Sequence, residues 1–173
     1  RTRWHRDLVA EYGATRPFYG FAGAPVAEGD LLILNVNTAG MALTRATGEL
    51  VWTSEAPPVS DLLHKIGDDN GATYMTPVLS TLYGQRCALV YGWKGLSAVN
   101  PETGSAFWTY AWRNYNNCKV PDPVVLGDRI LIADETTSDN FRTSTLLRVI
   151  DGKPERVWES RDFFSDVGTP LII

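Results

Sequence analysis

The chain has 173 residues, of which 44% are hydrophobic and 21% charged, the composition of a folded globular protein. A formal net charge of −4 argues against a duplex nucleic-acid partner, which calls for a clustered basic surface. No apolar run reaches roughly 18 residues, so no spanning helix is expected.

The chain opens Arg1-Thr2-Arg3-Trp4, with no Met and no signal peptide. It reads as a segment of a longer polypeptide, which leaves compartment unread. Pro25-Val26-Ala27, a turn at Glu28-Gly29-Asp30, and Leu31 to Val36 predict strand, turn, strand. Gly40 to Trp52 predicts a hairpin turning at Thr47-Gly48, where glycine supplies a positive φ. Ser60 to Ile66 allows one helical turn at most, and no stretch shows sustained helical periodicity. Thr76 to Leu79 and Cys87 to Gly92 predict the next strand pair, with a longer turn. Leu96 to Trp108 repeats the hairpin with Thr103-Gly104. Pro123 to Leu126, Gly127-Asp128 and Arg129 to Ala133 predict a third pair. Leu146 to Trp158 closes with Asp151-Gly152, a shifted but equivalent hairpin signal.

Two rulers run through these elements. Trp4, Trp52, Trp108 and Trp158 are spaced by 48, 56 and 50 residues. Ala24-Pro25, Thr76-Pro77, Asp122-Pro123 and Thr169-Pro170 are spaced by 52, 46 and 47. One period of roughly 50 residues, holding four short antiparallel strands, predicts a β-propeller blade. The first strand lines the channel, where an initial proline is tolerable. The fourth strand is outermost, and its tryptophan is expected to dock between blades, a structural role for Trp4, Trp52, Trp108 and Trp158.

Ala42-x-x-x-x-Thr47-Gly48-x-x-x-Trp52 and Ala98-x-x-x-x-Thr103-Gly104-x-x-x-Trp108 resemble the tryptophan-docking motif of the pyrroloquinoline-quinone-type (quinoprotein alcohol dehydrogenase-like) propeller repeat. The superfamily includes the propeller lipoprotein of the outer-membrane assembly machine. The stretch Trp4 to Gly13, running into Gly20 to Pro25, also resembles bacterial extracytoplasmic propellers of unestablished role. The family's aspartate two residues after the motif alanine is Thr44, Asn100 and Ile150 here, so the blades are divergent. The resemblance implies an all-β arc cut from a seven- or eight-bladed ring. It parses as a blade tail (1–16), blades at about 17–57, 70–113 and 118–161, and the first strand of another at about 166–173. It also implies a periplasmic or secreted setting.

Loops at one end of the blades gather the candidate binding residues: Phe21, Tyr74, Trp93, Lys94, Trp112, Arg113, Tyr115, Asn116 and Phe141. Trp93 and Trp112 break the tryptophan period and are the expected platforms for a ligand or partner, against the alternative that they cap blade ends. His5 and His64 lack a Ser or Cys at triad spacing. Asp68-Asp69-Asn70-Gly71 lacks the further ligands of a calcium loop and reads as a turn. Glu135 to Asp139 reads as a solvated acidic loop. Cys87 and Cys118 match no metal or redox spacing, and their strand positions, roughly 20 Å apart, predict two free thiols. No catalytic, metal or cofactor site is expected in this segment.

The functional expectation is a non-catalytic binding or scaffold propeller that offers its loop face to a protein, peptide or glycan. Remaining blades of the same chain, or another copy, would complete the ring. The alternative is a dehydrogenase holding pyrroloquinoline quinone and calcium in blades outside this segment, as the resemblance implies.

Overall fold

The computed structural model describes residues 2–17, 19–56, 73–92, 94–112, 120–134, 143–163, 165 and 168–171. Among the described residues, twelve strands form three four-stranded antiparallel sheets, each in consecutive order. The first sheet holds β1 (Val26–Glu28), β2 (Leu31–Leu34), β3 (Met41–Thr44) and β4 (Leu50–Thr53). The second holds β5 (Val78–Leu82), β6 (Gln85–Gly92), β7 (Gly95–Val99) and β8 (Ala106–Ala111). The third holds β9 (Val124–Leu126), β10 (Arg129–Asp134), β11 (Thr143–Ile150) and β12 (Lys153–Ser160). Three such meanders packed face to face form a β-propeller arc.

Alternation decides which face each sheet buries. Ile33, Ala42 and Trp52 of the first sheet meet Ala88, Val90 and Val99 of the second. The opposite face of the second sheet, with Leu89, Tyr91, Leu96 and Ala98, meets Ile130, Ile132, Leu147 and Val149 of the third. β6 is therefore buried on both faces, and Cys87 to Gly92 is an unbroken buried run.

The remaining face of the first sheet is covered by the opening segment. Trp4, Leu8, Tyr12 and Ala14 pack on Val36, Met41 and Leu43. That segment contains a short helix, α1 (Leu8–Tyr12), which periodicity does not reveal because it is one turn long. Its signals are local. The Asp7 carboxylate caps the Val9 and Ala10 amides, and Gly13, at φ 65°, ends the helix. The Ser60 to Ile66 stretch lies outside the described residues.

Each fourth strand carries a bulge beside its tryptophan. Ala42 pairs with Trp52 and Leu43 with Leu50, leaving Val51 extra. Ala98 pairs with Trp108 and Val99 with Ala106, leaving Phe107 extra. Leu146 pairs with Trp158 and Leu147 with Arg156, leaving Val157 extra. The added residue twists the outer strand and re-aims its indole. In the first two sheets the cross-strand partner is alanine, small enough for the ring to lie across it; in the third it is leucine.

Two turns differ from expectation. The turn between β5 and β6 is only Tyr83-Gly84, with φ 51° and 71°, as tight as its counterparts. Both residues are left-handed, the geometry that follows a hairpin's twist. The turn at Asp151-Gly152 is likewise two residues, with Ile150 paired to Lys153. Its counterparts span Thr44 to Gly48 and Asn100 to Gly104, each closed by the glycine amide donating to the first residue's carbonyl at 2.9 Å. It is a hairpin, but it is not equivalent.

Candidate functional site

The residues before the four prolines form a ladder. The Ala24 amide donates to Thr76 Oγ1 at 3.2 Å, the Thr76 amide to Asp122 Oδ1 at 2.7 Å, and the Asp122 amide to Thr169 Oγ1 at 3.1 Å. Proline fixes its own φ and holds its predecessor extended, which aims each amide at the next repeat. The sequence ruler thus marks hydrogen bonds between successive first strands.

This ladder positions an aromatic group at the mouth of the first two repeats. The Tyr19 and Tyr74 rings meet edge to face with centroids 5.8 Å apart, and the Tyr19 amide donates to the Tyr74 hydroxyl at 3.3 Å. Tyr19 is 75% exposed and Phe21 39%, while Tyr74 is half-buried. Gly23 lies so close to the next repeat that an added Cβ would stand 2.2 Å from the Met75 carbonyl oxygen, so this segment is fixed against its neighbour. Beneath it, Asn35 Nδ2 donates to Thr73 Oγ1 at 2.7 Å, and Asn35 Oδ1 is buried without a partner among the described residues. The sequence places Tyr19 with Phe21 on the loop face, whereas Asn35 and Thr73 are absent from the sequence-derived candidates. Tyr19 sits beside Phe21 in an aromatic run, which is a signal; Asn35 and Thr73 carry none.

The other candidates separate by position. Lys94 is exposed in the turn between β6 and β7. Trp112 is buried, 7% exposed, and stacks on Tyr91 with centroids 5.7 Å apart. It packs in the core shared by the second and third sheets, because β8 runs to Ala111 and delivers the next residue inward. It is therefore not a surface platform in this structure. Trp93, Arg113, Tyr115, Asn116 and Phe141 lie outside the described residues, as do His64, the Asp68 to Gly71 turn, Glu135 to Asp139 and Cys118.

The periodic tryptophans divide in the same way. Trp4 Nε1 donates to the Arg45 carbonyl at 3.0 Å, and Trp52 Nε1 to the Pro101 carbonyl at 2.9 Å. Each acceptor lies three residues before a turn glycine, and each indole covers that glycine. An added Cβ at Gly48 would sit 2.6 Å from Trp4, and one at Gly104 would sit 2.4 Å from Trp52. Trp108 is half-buried against the core but makes no such bond among the described residues, and the Asp151-Gly152 turn beside it is two residues long where the turns receiving Trp4 and Trp52 are longer. Trp158 is 40% exposed.

Charge is sparse at these places. Arg86 grips Glu28 with two hydrogen bonds of 2.6 and 2.7 Å, linking the second sheet to the first. The bonds hold the Glu28 carboxyl below its ordinary range. Arg148 does the same to Asp128 within the third sheet. Cys87 is a free, buried thiol, and desolvation pushes it up, away from the reactive thiolate. Among the described residues no group of three or more His, Cys, Asp or Glu converges as for a metal ion.

No protein-family model matches the chain, and no curated protein does. Among solved structures, the crystal structure of BamB from Moraxella catarrhalis is similar at 17% identity and a TM-score of 0.47. The likeness covers 82% of this chain and 37% of that one, so this chain spans little more than a third of that protein's length.

Proposed function

We propose that the chain is part of a non-catalytic binding propeller whose loop face receives a protein, peptide or glycan. The observation that carries this reading is the exposed aromatic group of Tyr19 and Phe21, braced by Tyr74 on the ladder of first strands. Aromatic rings held rigidly at a surface lose little entropy on binding and serve as anchors in recognition. Lys94 adds a cation at the β6–β7 turn. The division into three blades with partial ends, a ring of seven or eight blades and an extracytoplasmic setting belong to the same reading and rest on the repeat resemblance. Among the described residues no helix is long and apolar enough to cross a membrane.

The test is selection of ligands from peptide and glycan libraries with the wild-type chain, followed by Tyr19→Ala and Phe21→Ala. Both side chains are exposed, so melting temperatures should stay within a degree or so of wild type, surface changes costing about 0.5 kcal/mol or less. Affinity for selected ligands should fall about tenfold, the effect of losing roughly 1.4 kcal/mol at an anchor. Ligands that bind both variants as tightly as wild type would overturn the proposed face.

A further inference from the structure

We propose that a cleft between the first and second sheets, at the end where the strand turns emerge, is a binding site of its own, and that its ligand is a neutral sugar ring. The cleft lies at the other end of β5 from the aromatic group of Tyr19 and Phe21, so it is separate from the proposed loop face.

An overlong hairpin builds one wall. Val26, Val78 and Val124 each follow a ladder proline and pair with Ile33, Leu89 and Leu131. From these pairs the strands run two further pairs to the turn in the first and third sheets, but four in the second. The two added pairs are Thr81 with Arg86 and Leu82 with Gln85. Gln85 and Arg86 thus have no counterpart in the other two hairpins, and both line a cleft of about 350 Å³. Glu28 of the first sheet, with Asn100, Glu102 and Phe107 of the second, completes the lining used here. That volume lies at the small end of ligand pockets and suits a single ring.

The polar groups are held in place with bonding capacity left over. Arg86 spends Nε and Nη2 on Glu28, which fixes the guanidinium and leaves Nη1 to donate. Asn100 Oδ1 accepts the Glu102 and Thr103 amides at 2.8 and 3.2 Å, which fixes that side chain and leaves Nδ2 to donate. Among the described residues the Gln85 amide and the Glu102 carboxylate have no partner. Phe107 is the bulge residue of β8; it packs on the core and also lines the cleft.

This set selects by chemistry. An anion would meet Glu102, and a cation would meet the remaining Arg86 and Asn100 donors. A hydroxyl both donates and accepts, so neighbouring hydroxyls can give to Glu102 while accepting from Arg86, Asn100 or Gln85. The C–H face of a pyranose then packs on the Phe107 ring.

Titration of the ¹⁵N-labelled chain tests this. The probes are the methyl glycosides of glucose, galactose, mannose and N-acetylglucosamine, with sodium acetate and propylammonium chloride as charged controls. The Gln85 and Asn100 side-chain amide signals, assigned through Gln85→Glu and Asn100→Asp, are followed by NMR. At least one glycoside should shift both signals saturably, and neither charged control should. Glu102→Ala removes an exposed side chain, so it should melt within a degree or so of wild type and bind that glycoside about tenfold more weakly. Shifts from acetate or propylammonium but no glycoside overturn the proposal, as does equal affinity in Glu102→Ala or silence from all four glycosides. Glycoside shifts confined to the amides of Tyr19 and Phe21 overturn it too, while supporting the loop face.

Discussion

Trp52 and Trp158 hold the same place in the repeat, yet they do different work. Trp52 is 8% exposed and donates its indole proton to the Pro101 carbonyl, whereas Trp158 is 40% exposed. Trp52→Ala should cost about 3–5 kcal/mol, the range for emptying a buried indole site. Trp158→Ala should cost about 0.5 kcal/mol or less. Urea denaturation of the two variants checks the contrast, and similar losses would contradict it. Gly104 answers for the other half of the contact. It sits at φ 72° with the Trp52 ring where a Cβ would go. Gly104→Val should therefore destabilise by about 2–4 kcal/mol, combining a disfavoured left-handed backbone with a displaced indole. Gly152→Val removes only the backbone preference, since nothing lies within 4 Å of the site, and should cost clearly less.

At the level of the strand, the first-strand ladder is the device that joins one sheet to the next along the axis. Asp122 is its centre, accepting from Thr76 and donating to Thr169. Asp122→Ala leaves the Thr76 amide without its partner, a loss of about 1–3 kcal/mol where the group is shielded from water. Asp122→Asn keeps an oxygen at the same place and should recover most of it. Amide exchange at Thr76, measured by NMR, should quicken in the first variant and stay slow in the second. Strand order was legible in the sequence, because hydrophobic alternation and Thr-Gly turns are local and recur. The ladder was legible only as spacing, since its bonds join residues 46 to 52 positions apart. Trp112, which departs from the period, is 7% exposed and packs in the core. Periodicity says which residues share a role, but burial of an off-period residue depends on where β8 ends against the third sheet. The helix at Leu8–Tyr12 escaped for the opposite reason, being shorter than any periodic signal.

At the scale of the molecule, the sheets are held by burial, and charge makes a small and conditional addition. The Glu28–Arg86 pair crosses from the first sheet to the second. Because the folded protein holds Glu28 below its ordinary pKa, it binds that proton less readily than the unfolded chain does. The pair's stabilisation is thus present above the usual glutamate range, about 4.3, and is lost as pH falls through it toward the folded value. Arg86 is exposed and Glu28 partly so, and the gain is about 0.5 kcal/mol or less and shrinks with salt. Glu28→Gln should flatten the loss of stability between about pH 5 and pH 3 at low ionic strength, and leave the profile unchanged in high salt. Melting temperatures across that range read the difference, and parallel profiles for variant and wild type at low salt would contradict it.

The ladder begins at Ala24, whose methyl offers no oxygen to a donor arriving from the other side. Similar repeats are prone to pair in the wrong phase, one standing in for its neighbour during folding. Shifting this array by one unit would bring an amide against that methyl and leave it unbonded. Ala24 therefore marks the phase of the repeats. Each out-of-phase arrangement carries a penalty that the correct one does not, and one alanine gives an otherwise translatable structure its origin.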